Sequence, residues 1–291
     1  MFLIRLLPYS SFSSSSSSST TILEDDNKHD LVSSFNRLLH QQNPTPSIFQ
    51  FGKILGSLVK INHYSTVVSL HQQMELNGFV SNLVTLSILI NSFSQLGQNP
   101  LSFSVLAKIF KKGYDPDAIT LTSLIKGLCL KGQIHQALHF HDKLAALGFR
   151  FNHVSYGTLI NGLCKVGQTR AALQLLRRVD GKLVQPDVVM YTMIIDSMCK
   201  DKLVNEAFDL YSEMVSKGIS PDVVTYSALI SGFCILGKLN DSIGLFHKMI
   251  SEKINPNMYT FNILIDAFVE IIFINPYFSF KDEKIYLYFI L

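Results

Sequence analysis

All four cysteines of this 291-residue chain fall in one register: Cys129, Cys164, Cys199 and Cys234 are each 35 residues from the next. A fixed period of this size implies a repeat architecture in which every unit packs on its neighbours. Aligned on the cysteines, the chain divides into units 48–82, 83–117, 118–152, 153–187, 188–222 and 223–257, and a seventh opens at 258. Within each unit apolar residues return at helical spacing. In the fourth, Tyr156, Leu159, Ile160 and Leu163 mark one helix face, and Ala172, Leu175, Leu176 and Val179 mark a second. Between the two helices stand Gly97, Gly132, Gly167 and Gly237, suited to the left-handed backbone that closes a helix; Asn62 is the next best residue there and Lys202 the exception. Pro116, Pro186, Pro221 and Pro256 read as the stops of the second helices. Ser102, Ala137, Ala172, Ala207 and Ser242, with the larger Val67, mark a place of close helix approach. A lone hairpin cannot bury both of its apolar stripes. The expected fold is therefore all-α, a right-handed α-solenoid superhelix of 35-residue helix-turn-helix repeats.

The cysteines share one place near the end of the first helix, so stacking sets them roughly 10 Å apart. Zinc needs sulfurs about 2.3 Å from one ion, and a disulfide needs α-carbons within about 7 Å. Neither condition is met and no C-x2-C pair occurs, so the four read as small, buried apolar fillers. His135, His139 and His141 share one second helix without a carboxylate partner and read as a solvated face rather than a metal site. No H-x-E with P-C-x-x-C, no glycine-rich phosphate loop and no Ser/His/Asp arrangement is present, which argues against an enzyme and calls for no cofactor.

Apolar residues make up 47% and charged residues 16% of the chain, as expected of a folded protein. The net charge of +3 permits a nucleic-acid partner without announcing one. Residues 1–26, with Arg5, serines from 13 to 19 and no acidic residue before Glu24, read as a Ser-rich, disordered transit peptide. Residues 27–47 read as a degenerate leading half-repeat whose helix 30–42 covers one end of the array. At the other end, a partial repeat over 258–270 gives way to a non-repeat hydrophobic tail, 271–291. Pro276 and the charges from Lys281 to Lys284 argue against a membrane span there, and the array reads as truncated, with an exposed apolar end.

The stretches VVTYSALISGFCILGKLNDSIGLFHKMISEKINPN and VVMYTMIIDSMCKDKLVNEAFDLYSEMVSKGISPD resemble the pentatricopeptide repeat in its pure 35-residue form, the P class. SIFQFGKILGSLVK and TLSILINSFSQLGQ are similar to the plant subgroup related to restorers of fertility. The tetratricopeptide repeat, with a period of about 34 and an early Trp, fits less well, because this chain has no tryptophan.

The resemblance implies a sequence-specific adaptor that binds single-stranded RNA, one base per repeat. It implies residence in mitochondria, with plastids as the alternative, and RNA-processing enzymes as further partners. It assigns base recognition to the residues at the fifth and last places of each unit. Here these are Gly52 with Asn82, Ser87 with Asp117, Thr122 with Asn152, Gly157 with Asp187, Thr192 with Asp222, and Ser227 with Asn257; Asn262 opens a seventh pair. A carboxylate accepts from guanine's donors and a carboxamide fits adenine. A small or hydroxyl fifth residue goes with purines in the family, and Asn with pyrimidines, so the implied site resembles 5′-A-G-A-G-G-A-3′ followed by a pyrimidine. At the second place, Phe49, Val84, Ile119, Val154, Val189, Val224 and Tyr259 read from the residues alone as first-turn packing; the resemblance makes them base-stacking residues. Lys60, Lys165 and Lys200 end their first helices within reach of phosphates. Six reading units distinguish about 4,000 hexamers, too few for a unique address in a large transcriptome, which implies partners or a weak-binding remnant. The rival function is a helical scaffold for proteins.

Overall fold

The computed structural model describes residues 17–181 and 184–274, with side chains over 27–181 and 184–269. The serine-rich leader before residue 17 and the tail beyond 274 lie outside the described residues. Fourteen helices run through the described residues: α1 (Ser17–His40), α2 (Ile48–Lys60), α3 (Tyr64–Leu76), α4 (Leu83–Gln95), α5 (Asn99–Lys111), α6 (Ala118–Leu130), α7 (Ile134–Ala146), α8 (His153–Lys165), α9 (Thr169–Val179), α10 (Val188–Lys200), α11 (Val204–Ser216), α12 (Val223–Ile235), α13 (Leu239–Ser251) and α14 (Met258–Ile274). From α2 onward, even-numbered helices open the repeats and odd-numbered helices close them. The chain divides into two compact units whose boundary falls after Gly127, inside α6.

In the first unit α2 packs on α4, while α3 and α5 lie against their own first helices. Helix α1 covers the α2–α3 hairpin through Phe35, fully buried, whose ring meets Phe51 edge-on at 5.0 Å. In the second unit α8 packs on α10, α10 on α12 and α12 on α14, so the first helices form one layer. Helices α9, α11 and α13 back that layer. This is the stacked-hairpin solenoid that the period predicts, since each hairpin buries its second stripe only against the next.

Local rules set the joints. The residue between paired helices adopts left-handed backbone at Gly97, Gly132, Gly167 and Gly237, at φ 68 to 72°. Asn62 does the same at φ 60°, and so does Lys202 at φ 63°. Lys202 is thus exceptional in chemistry but not in conformation, and its Cβ is strained there. In the seventh repeat the equivalent place holds Ile272, and α14 accordingly runs on to Ile274 rather than stopping at 270. Helix α1 likewise begins at Ser17, inside the segment read as disordered, because no proline or glycine interrupts the approach to its buried part.

The prolines require a correction. Helices α5, α9, α11 and α13 end five or more residues before Pro116, Pro186, Pro221 and Pro256. The left-handed residues Gly113, Gly218 and Lys253 end three of them, and the prolines occupy the linkers that follow.

Two small-residue contacts fix the packing distance. Val67, Ser102, Ala137, Ala172, Ala207 and Ser242 are all completely buried where each second helix meets its partner. Successive first helices cross where the tenth place of one meets the twelfth place of the one before. There Gly162 faces Cys129, Gly232 faces Cys199, and Ser197 hydrogen-bonds Cys164. Burial raises the thiol pKa of Cys129 and Cys164 to about 11 and of Cys199 to about 12, so the thiols stay protonated and unreactive. Cys199 is fully buried and the other three are partly buried, so the reading as buried fillers holds in full only for Cys199.

A methyl group on Gly232 would sit 2.6 Å from the Cys199 sulfur and 2.8 Å from its Cβ. Gly232→Ala should therefore destabilise the protein by about 1–3 kcal/mol, whereas Gly244→Ala, with nothing within 4 Å of the new methyl, should be neutral or stabilising. Lys202→Gly should raise stability by about 1 kcal/mol through relief of the left-handed strain. Thermal and urea denaturation of the three variants against the parent chain measures all of these shifts.

Candidate nucleic-acid interface

A first turn of helix leaves its leading N–H groups without intrahelical partners, so each first helix needs a cap. The last residue of the preceding repeat supplies it. Asn82 accepts from Thr85 N at 3.0 Å, Asp117 from Thr120 N at 2.8 Å and Asn152 from Ser155 N at 3.1 Å. Asp187 accepts from Met190 N at 3.0 Å, Asp222 from Thr225 N at 2.9 Å and Asn257 from Thr260 N at 2.9 Å. All six last-place residues assigned to base recognition are therefore N-caps. In each the cap uses Oδ1. The other terminus is left over: a second carboxylate oxygen at Asp117, Asp187 and Asp222, and an amide NH2 at Asn82, Asn152 and Asn257. An Asn so capped presents a donor, and an Asp so capped presents an acceptor.

The fifth-place residues sit beside these caps. Ser87 Oγ lies 2.6 Å from Thr120 Oγ1, which lies 2.7 Å from Asp117 Oδ1. Thr192 meets Thr225 at 2.7 Å, and Thr225 donates to Asp222 at 2.9 Å. Ser227 meets Thr260 at 2.8 Å, and Thr260 donates to Asn257 at 3.0 Å. Three of the six predicted pairs are thus joined through one buried hydroxyl at the third place of the following repeat. Gly52 and Gly157 have no side chain to join; Thr85 Cγ2 and a Met190 methyl lie 3.7 and 3.9 Å from where their Cβ would be. Thr122, almost fully buried, donates to Ala118 O at 2.5 Å on its own helix. Asn262, on the last described first helix, is exposed.

The second-place residues do not pack inward. Their exposure runs from 50% at Val189 to 70% at Ile119, with Phe49, Val84, Val154, Val224 and Tyr259 between. That removes the reading of these side chains as first-turn packing. They stand one turn before the fifth place on the same helix face, and Val84 lies 3.9 Å from the Cβ position of Gly52, so a fifth place is flanked by the second-place residue of the next repeat as well.

The available cations differ from those the sequence implied. Lys60 and Lys165 are exposed, but Lys200 Nζ is held by Asp196 Oδ2 at 2.5 Å, and that bond raises its pKa. One cation was missed: Lys126, exposed, four residues after Thr122 and seven after Ile119 on α6. Its helical spacing from Ile119 is the signal that finds it. The histidine trio is not one solvated face. His135 and His139 are exposed, while His141 is buried, with the Phe151 ring 4.3 Å away and Asp142 Oδ1 3.1 Å from its Nδ1. Burial lowers its pKa and keeps it neutral despite Asp142. Among the described residues no group of His, Cys, Asp and Glu is arranged to hold a metal, and no helix is long and apolar enough to cross a membrane.

Comparison with known proteins converges on the same architecture. The PPR repeat family matches at residues 116–165, 186–235 and 222–270, and the PPR repeat at 154–182. A mitochondrial pentatricopeptide repeat-containing protein of Arabidopsis thaliana is 38% identical over 87 residues, 30% of this chain and 14% of that protein. The chain thus matches about a seventh of the length of this curated relative. Among solved structures, maize PPR10 superposes with a TM-score of 0.58 at 22% identity, over 78% of this chain and 37% of that one. PPR10 in complex with an 18-nucleotide psaJ RNA element gives 0.55 over 78% of this chain and 38% of that one, again at 22% identity. At that identity the likeness establishes the fold.

Proposed function

Because this chain belongs to the PPR repeat family, whose profiles match just over half of its residues, we propose that it is a non-catalytic adaptor that binds single-stranded RNA and reads one base per hairpin. The observation that carries this reading is the joining of Ser87 to Asp117, Thr192 to Asp222 and Ser227 to Asn257 through a shared hydroxyl. Each joined couple belongs to a single repeat. A packing role alone does not require hydroxyl and Asx to be coupled in register three times over.

The termini left by the caps support a preference at each step. The carboxylate oxygen of Asp117, Asp187 or Asp222 matches the N1–H and N2–H donors of guanine. The NH2 of Asn82, Asn152 or Asn257 matches the N1 acceptor of adenine. With small or hydroxyl residues at the fifth places, the site reads 5′-A-G-A-G-G-A-3′, followed by a pyrimidine at Asn262. Exposed second-place residues from Phe49 to Tyr259 stack on the bases and add affinity with little sequence preference. Lys60, Lys126 and Lys165 approach phosphates, and Lys200 contributes less because Asp196 neutralises it. So few cations give a shallow salt dependence, about 0.7 in slope per phosphate neutralised.

The uniform 35-residue period supports the P class, and the stretches SIFQFGKILGSLVK and TLSILINSFSQLGQ support the restorer-like subgroup. The acid-poor leader, together with a relative named as mitochondrial, supports mitochondria as the compartment. There the protein protects or remodels a transcript or recruits processing enzymes.

Gel shifts with AGAGGA and its single-base variants test the reading. Binding should fall at each substituted position, and equal affinity for AGAGGA and UCUCCU would refute it. Thr192→Asn combined with Asp222→Asn should move the preference at the fifth base from guanine to cytosine; unchanged RNA behaviour favours a protein scaffold instead.

A further inference from the structure

We propose that the third-place hydroxyls, Thr120, Thr225 and Thr260, are positioning residues for base discrimination: each orients the Asx of the preceding repeat and ties it to that repeat's fifth-place hydroxyl. The inference rests on the RNA-reading function above. The three threonines are completely buried, so they touch no RNA and act only through their neighbours.

The hydrogen-bond chemistry fixes the direction of the chain. An ionised carboxylate only accepts, so Thr225 must donate its single hydroxyl proton to Asp222 Oδ1, 2.9 Å away. Thr192 Oγ1, 2.7 Å from Thr225 Oγ1, must then donate to Thr225. Thr120 donates to Asp117 in the same way, at 2.7 Å. At Asn257 two donors, Thr260 N at 2.9 Å and Thr260 Oγ1 at 3.0 Å, converge on Oδ1. A flipped amide would turn its own N–H groups against both, so the NH2 end is held outward. One N–H alone leaves the side chain pivoting about a single contact; the hydroxyl supplies the second anchor, which keeps the reading atom in one place.

The chain contains its own contrast. Met190 replaces the hydroxyl in the fifth hairpin, and Asp187 keeps only the Met190 N–H at 3.0 Å. Its fifth-place partner is Gly157. The fourth base is therefore read least strictly. A Cβ on Gly157 would stand 3.9 Å from the Met190 methyl, an ordinary contact, so a complete relay can be built there.

The test measures Kd of the full chain for AGAGGA RNAs carrying each of the four bases at position five, and separately at position four. Thr225→Val should lower the preference for guanine at base five about fivefold, the worth of one hydrogen bond, with the other bases read as before. Thr225→Ser, which keeps the hydroxyl, should restore it. Gly157→Ser combined with Met190→Thr should sharpen the guanine preference at base four by a similar factor. If Thr225→Val discriminates at base five as the parent does, or loses discrimination equally at every base, the positioning role is wrong while RNA reading stands. If the parent chain shows no preference at base five, both fall. Should Thr225→Val fail to fold, the Gly157/Met190 variant decides alone: no gain at base four overturns the proposal.

Discussion

Six first helices begin on an Asn or Asp that must satisfy the leading amides of its own helix, and the geometry of the reading face follows from that requirement. The cap consumes one side-chain oxygen and, in doing so, determines which atom remains. In the proposed reading, helix formation and base choice use the two ends of one side chain. A residue that failed as a cap would lose both its orientation and its helix start, so the difference between Asn and Asp leaves a fixed donor or a fixed acceptor rather than a rotamer preference.

The caps do this only because neighbouring first helices stand close. Gly162 against Cys129 and Gly232 against Cys199 leave no room for a methyl group at those crossings. At the other end of the same helices, the spacing puts Thr225 and Thr260 within hydrogen-bond reach of the preceding fifth-place hydroxyl. Second-place side chains remain exposed on that face, an apolar surface that the proposed RNA reading would cover with flat, unpaired bases. Few cations surround it, and one of them, Lys200, is already paired. The proposed reading therefore draws its affinity from stacking and edge matching more than from charge.

Much of this was legible in the sequence because the relevant signals are local. Gly97, Gly132, Gly167 and Gly237 announce a left-handed joint by residue type, and Ala172 or Ser242 announces a close approach. Lys202 broke the residue pattern while keeping the backbone, since neighbouring packing outweighs about 1–2 kcal/mol of strain. The prolines were misread because a missing N–H is tolerated in a linker as readily as it ends a helix. The third-place hydroxyls escaped notice for a different reason. Thr225 looks like half of an ordinary capping box, and its contact with Thr192 joins residues 33 apart in different repeats, which no local pattern reveals. His141 was hidden similarly, as its burial depends on Phe151 and Tyr156 from beyond its own helix.

The most direct test is a structure of the chain bound to an AGAGGA oligonucleotide. The account predicts consecutive bases held between second-place residues, with Asp222 Oδ2 accepting from a guanine edge and Asn257 Nδ2 donating to the adenine that follows. RNA lying along the second helices, or bases placed out of reach of those two atoms, would contradict it.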